Sequence, residues 1–241
     1  MFSLYGFVFC AYLKLELHKN TLIAEHTIMK YLMFIRHGNY VRNPNYYYDD
    51  RQVCLSDLGK IQAENLRQCL QSFEPDYIVT SPILRCVETT NIITSRYESV
   101  LPIFDERLKE RTFPSLFNKS FVDLEKILGV QSLLNLRQFS ENFEIGNEET
   151  ILESENRVLS SVNEHVRKCT KKIAIISHGG PHRWLVCNLL GLQFDSIRFF
   201  YINEAHFSLF ECEDNGQLKK IISLNSTENP NRLYKKLHFS A

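Results

Sequence analysis

"LMFIRHGNYVRN", residues 32–43, carries four apolar residues straight into Arg36, His37 and Gly38. A cation at the end of a buried strand is costly unless an anion meets it. The rest of the chain repeats this arrangement. "DYIVT" (76–80) runs into Ser81-Pro82 and Arg85, "VLPIF" (100–104) into Glu106 and Glu110, and "KIAIIS" (172–177) into His178. Each is a short strand-like run that ends in polar residues.

Helical patterns separate these runs. "LSDLGKIQAENLRQCL" has Ser56 as its N-cap, and Leu58, Ile61, Leu66, Cys69 and Leu70 are expected on one face. Ser81 with Pro82 is read as the cap and first turn of a helix through "ILRCVETTNIITSRY". Pro102 makes "VLPIF" edge-like. "ETILESENRVLSSVNEHVRK" places Ile151, Glu155, Val158, Val162 and Val166 on a helical stripe. Gly179-Gly180-Pro181 opens a helix that stops at Gly191, and Asn215-Gly216 marks a hairpin. Strands alternating with helices imply an α/β fold, three-layer α/β/α with a mostly parallel central sheet. Phe117, Phe121, Leu124 and Leu128 share a helical face in a small helical cap, about residues 111–147.

The bulk numbers fit one such domain. The chain has 241 residues, 44% of them hydrophobic, and its 28 basic side chains equal its 28 acidic ones. No global field recruits nucleic acid or a membrane, so an anion site must be local. The 7 cysteines are scattered without CxxC pairs, which reads as packed, reduced thiols in a cytoplasmic protein. "MFSLYGFVFCAYL" is short for a membrane span and lacks a basic leader. Residues 1–28 are therefore expected to be an extension ahead of a domain over 29–241.

In an open α/β sheet, ligands bind beyond the carboxyl ends of the strands. Two histidines, two arginines and an acid would converge there, beside the backbone N–H groups of the helix that starts near Gly180. That set suits a phosphate. Phosphoryl transfer asks a protein for positioning and for positive charge on the equatorial oxygens, and Arg36, Arg85 and His178 supply donors. His37 can attack as a neutral imidazole, and Glu110 can protonate the leaving group. Glu106 lies one turn from Glu110 and could take its place. With so many cations at hand, neither a metal nor a cofactor is expected. Tyr46-Tyr47-Tyr48 is either a solvated loop with one tyrosine tucked in or a rim over the crevice.

With these residues in this order, the chain resembles the histidine phosphatase superfamily, branch 1, with its phosphoglycerate-mutase-like fold, over roughly residues 31–225. The resemblance implies that His37 becomes phosphorylated, that Arg36, Arg85 and His178 form the phosphate pocket, and that Glu110 is the proton donor. It also implies that Asn43, Gly179 and Asn203 contact substrate. Asn39 stands where many members have glutamate after Arg-His-Gly. The arginine-rich insertion of the mutases is missing, which favours a phosphatase over a mutase. "RHGNYV", "RCVETTNIIT" and "RWLVCNLLGL" look similar to PGAM-type protein Ser/Thr phosphatases and their bacterial relatives. The expected partner is thus a phosphomonoester, either a phosphoprotein or a small metabolite. A mutase-type phosphotransferase and a non-catalytic phosphoprotein-binding module are the alternatives.

Overall fold

A computed structural model of the chain describes residues 29–41, 45–47, 51–95, 100–138 and 145–233. Its centre is a six-stranded sheet in the order β4-β3-β6-β1-β7-β8. The strands are β1 (Lys30–Arg36), β3 (Tyr77–Thr80), β4 (Ile103–Phe104), β6 (Lys172–Ser177), β7 (Phe207–Cys212) and β8 (Leu218–Ser226). β1, β6, β3 and β4 run parallel, and β7 and β8 extend the sheet antiparallel. A separate ribbon pairs β2 (Tyr46–Tyr47) with β5 (Lys119–Ser120).

Side-chain alternation explains the layers. Leu32 and Phe34 point to one face of β1, and Met33 and Ile35 to the other. The first face packs against α4 (Ile151–Lys168) and α5 (Gly179–Leu189), through Val158, Val162, Val166 and Trp184. The second packs against α1 (Asp57–Phe73) and α2 (Leu84–Thr94), through Ala63, Leu66, Leu70, Cys86 and Ile93. With both faces covered, the central strands are apolar throughout. The expected three-layer α/β/α fold with a mostly parallel sheet is what forms.

Several local expectations hold in detail. Ser56 caps α1 by accepting from the Gly59 N–H. Thr150 and Glu153 form a capping box at α4, whose stripe of Ile151, Glu155, Val158, Val162 and Val166 is buried. Others shift. Leu58 and Ile61 are 56% and 61% exposed, and the buried face of α1 instead runs through Gly59, Ala63, Leu66, Cys69, Leu70 and Phe73. At about 100° per residue, Ile61 falls well away from the line through Leu66, Leu70 and Phe73. The helix after β3 starts at Leu84 with Ile83 at its cap, two positions later than Ser81 and Pro82 imply. The Ser81 hydroxyl still reaches the helix start, accepting from the Ile83 N–H at 3.4 Å.

Phe113, Leu116, Leu124, Leu133 and Leu136 form a third apolar cluster, apart from the two beside the sheet. Leu124, Leu133 and Leu136 belong to α3 (Phe121–Gln138), which Gly129 interrupts with φ +78°. Phe117 ends a short 3₁₀ turn and is not on that helix. Tyr47 is the tucked-in tyrosine: its hydroxyl accepts from the Phe113 N–H at 3.0 Å, and its ring stacks on Phe117. Residues 1–28 and 48–50 lie outside the described residues.

Candidate active site

Parallel pairing of β1 with β6 sets Arg36 opposite Ser177, so His37 and His178 emerge side by side. Their rings are 5.1 Å apart between centroids. His37 is 3% exposed and His178 fully buried. The His37 Nδ1–H donates to the Gly38 carbonyl at 2.7 Å, and Nε2 accepts from Arg85 Nε at 3.1 Å. The tautomer follows: the proton is on Nδ1, and the Nε2 lone pair faces the guanidinium. Tyr40 closes the other side, edge-on to His37, with the Arg85 guanidinium 4.7 Å from its ring centroid.

Two glycines make this placement possible. A Cβ on Gly38 would lie 2.6 Å from the Gly59 carbonyl, and one on Gly59 would lie 1.8 Å from the Asn39 carbonyl. The Arg-His-Gly turn therefore packs backbone to backbone on the first turn of α1. Thr89 adds a tie from α2, accepting from the Gly38 N–H at 3.1 Å and donating to the Arg85 carbonyl at 2.7 Å.

His178 pairs through Nε2 with Ser81 Oγ at 2.9 Å, and the same Oγ accepts from the Ile83 N–H at 3.4 Å, so Ser81 serves both the site and the helix start. Burial pushes the His178 pKa well below its ordinary value, and Arg85, His37, Arg36 and Arg157 push it the same way. The ring is neutral. One turn on, burial with Arg36 and Arg183 nearby pushes His182 down to about 3, and its Nε2 pairs with Ser208. His182 is thus an ordinary helix histidine.

Arg36 is braced from the β7 side. Its Nη1 donates to the Ile202 carbonyl, and Nη2 meets Glu204 Oε1 at 3.4 Å. Among the described residues its buried Nε has no hydrogen-bond partner, a rare state for an interior donor. Glu204 also accepts from Asn39 Nδ2 at 2.7 Å, so Asn39 orients the carboxylate that orients Arg36.

Glu110 reaches the same place by another route. Oε2 accepts from the Gly180 N–H at 3.0 Å and Oε1 from the Arg111 N–H at 3.3 Å. One of the N–H groups of the α5 terminus that the sequence offered to phosphate, that of Gly180, is therefore taken by Glu110. A Cβ on Gly180 would stand 2.1 Å from Glu110 Oε1. Glu106 points away, largely exposed and paired with Lys109. Of the two carboxylates left open by the sequence, only Glu110 enters the site.

The remaining candidates are less central. Gly179 lies against Arg36, where a Cβ would sit 3.4 Å from the guanidinium carbon. Asn203 is exposed beside Ile202, and its backbone N–H bonds Asn225 Oδ1 at 2.8 Å. Asn43 lies outside the described residues. The sequence reading missed Thr89 and Glu204. Thr89 could have been found one turn beyond Arg85 on the same helix face; Glu204 carries no local signal. Among the described residues, no helix is long and apolar enough to cross a membrane.

This pocket of strand-end histidines and arginines with one facing carboxylate has known counterparts. The family model for the histidine phosphatase superfamily (branch 1) matches residues 32–226, and the chain belongs to that superfamily. "Putative phosphoserine phosphatase 2" of Hydrogenobacter thermophilus is 27% identical over 199 residues, which are 82% of this chain and 96% of that protein. The 2,3-bisphosphoglycerate-dependent phosphoglycerate mutase of Cytophaga hutchinsonii is 24% identical over 207 residues, covering 84% of this chain and 97% of the mutase. The solved structure of Bacillus stearothermophilus YhfR superposes with a TM-score of 0.74 at 20% identity, over 83% of this chain and 98% of YhfR. The chain is an enzyme of this superfamily.

Proposed function

We propose that the chain is a phosphomonoesterase working through a phosphohistidine on His37, with arginines rather than a metal supplying the positive charge. The observation that carries this reading is the bonding of the His37 ring: Nδ1–H is held by the Gly38 carbonyl, and Nε2 is turned to Arg85. A phosphoryl group held by Arg85 would lie in front of that lone pair.

In the first step Nε2 attacks phosphorus and the ester P–O bond breaks. The leaving oxygen takes a proton from the Glu110 carboxyl. Arg36 turns its unpartnered Nε to a phosphoryl oxygen, Arg85 supplies another donor, and the neutral His178 a third. In the second step a water gives its proton to Glu110 as its oxygen attacks phosphorus. The P–N bond breaks, inorganic phosphate leaves, and His37 regains its lone pair.

Hydrolysis is favoured over mutase chemistry because the mutases' arginine-rich insertion has no counterpart here. The two relatives described above are named for phosphomonoester chemistry, one a phosphatase and one a mutase. Phosphopeptides belong beside small phosphate esters in the substrate panel, because three helix and turn segments resemble the protein phosphatase branch.

The deciding experiment is hydrolysis of p-nitrophenyl phosphate in EDTA by the wild type and His37→Ala, with an alkaline denaturing quench to trap phosphoenzyme. Expected are wild-type turnover in EDTA, loss of about 10³-fold or more in the variant, and an acid-labile phosphoryl group only on the wild type. Full activity of His37→Ala would end this reading.

A further inference from the structure

Glu110 sits on neither a strand nor a helix. It follows a 3₁₀ turn, Glu106–Leu108, and its own segment forms no ladder with the sheet. A general acid must be placed to within a fraction of an ångström, so something else has to hold this strap.

Side chains do it. The carbonyls of Arg107, Leu108 and Lys109, three in succession, each accept from a side chain. Arg157 Nη1 donates to the Arg107 carbonyl at 2.6 Å and to the Lys109 carbonyl at 2.7 Å. Ser177 Oγ, on the residue before His178, donates to the Leu108 carbonyl at 2.7 Å. Arg157 uses its other donors on Ser154 Oγ at 2.9 Å and on both oxygens of Glu149. All five guanidinium N–H groups are thus engaged. On the far side of Glu110, Arg111 Nε donates to the Glu149 carbonyl at 2.6 Å. The residue before Glu110 and the residue after it are both tied to the Glu149–Arg157 pair. The pair is largely sheltered, at 29% and 20% side-chain exposure.

We infer that Arg157, locked by Glu149, is the positioning residue for proton transfer: it fixes where the Glu110 carboxyl stands relative to the oxygen leaving phosphorus. This rests on the reading of Glu110 as the acid. Arg157 exchanges no proton and touches no substrate; it acts through the strap. A lysine at 157 keeps the charge but offers three donors from one point, so it cannot hold two carbonyls and a bidentate carboxylate together.

The test uses kcat/KM, which reports the step in which the leaving group departs, on an alkyl phosphate (propyl phosphate) and on p-nitrophenyl phosphate. Alkoxide needs the proton and nitrophenolate needs it far less. Arg157→Lys should lower kcat/KM for propyl phosphate about 10- to 100-fold and for p-nitrophenyl phosphate by less than about threefold. Glu110→Gln should show the same split, larger. The double variant should be no worse than Glu110→Gln alone on propyl phosphate, because both changes remove one function. Equal losses on both substrates for Arg157→Lys, or losses that add in the double variant, would overturn the inference. A split in Glu110→Gln without one in Arg157→Lys rejects the positioning role alone, whereas no split in Glu110→Gln rejects Glu110 as the acid. Should Arg157→Lys not fold, Glu149→Gln is scored by the same criteria.

Discussion

His37 and His178 stand at the ends of β1 and β6, two strands joined by a parallel hydrogen-bonded ladder, while Glu110 hangs on an irregular strap fastened by side chains. The first region, the cradle, inherits its geometry from the sheet. Once Arg36 pairs with Ser177 in register, the two imidazoles have little choice of position. The second region inherits nothing from the ladder, and its precision comes from a guanidinium, a hydroxyl and a helix N-terminus. In the proposed reaction the two serve different parts: the cradle would grip the phosphoryl group that every substrate shares, and the strap would meet the leaving group, which varies.

This division yields three ordered expectations. Arg85→Ala removes a donor to the phosphoryl group and the partner of His37 Nε2, so kcat/KM should fall about 10²- to 10³-fold. Propyl and p-nitrophenyl phosphate should suffer alike. A loss confined to the alkyl ester would break the division between cradle and strap. Gly180→Ala pushes a Cβ into the Glu110 carboxylate and should cost about 10-fold or more on propyl phosphate, with a much smaller loss on the aryl ester. Comparable losses on both would show that the change disturbs the cradle through α5.

The smallest effect is on stability and separates the regions by pH. His182, pushed down to about 3, is neutral in the fold, while in the unfolded chain it titrates near 6.5. Its contribution to stability is complete above 6.5 and is lost as pH falls from there toward 3, roughly 2 kcal/mol by pH 5. His178 works in the same direction. On the strap side, burial alone would raise the Asp105 carboxyl, but hydrogen bonds from Arg107, Ser161 and His165 outweigh it and hold the group well below the carboxylate range. Its contribution is present above about pH 4 and is lost only below that. Urea midpoints between pH 7 and 5 should therefore decline, and His182→Asn should flatten the decline. An unchanged slope in that variant would remove His182 from the account.

The cradle was legible in the sequence because strand-end residues are read from periodicity, and periodicity survives without coordinates. "YLMFI" and "KIAIIS" announce buried strands, and whatever follows them must face the crevice. The strap was legible only at Glu110 itself. Leu58 and Ile61 show how the reading fails: in α1 the apolar face was phased by a few residues. Ser81, read only as a helix cap, serves two groups at once: its hydroxyl accepts from the Ile83 N–H and pairs with the buried His178 imidazole.

By itself, then, the sequence determined the α/β layering and which side chains, Arg36, His37, Arg85 and His178, would meet at the ends of its strands, because local pattern and residue chemistry dictate both. Only the tertiary structure decided which tautomer His37 holds, which acid enters, and what holds that acid still. Those depend on contacts between residues distant in the chain: Arg85 with His37, Gly180 with Glu110, Arg157 with the carbonyls on either side of Leu108. No spacing rule links such pairs, since they meet only after the sheet has set the distances between them.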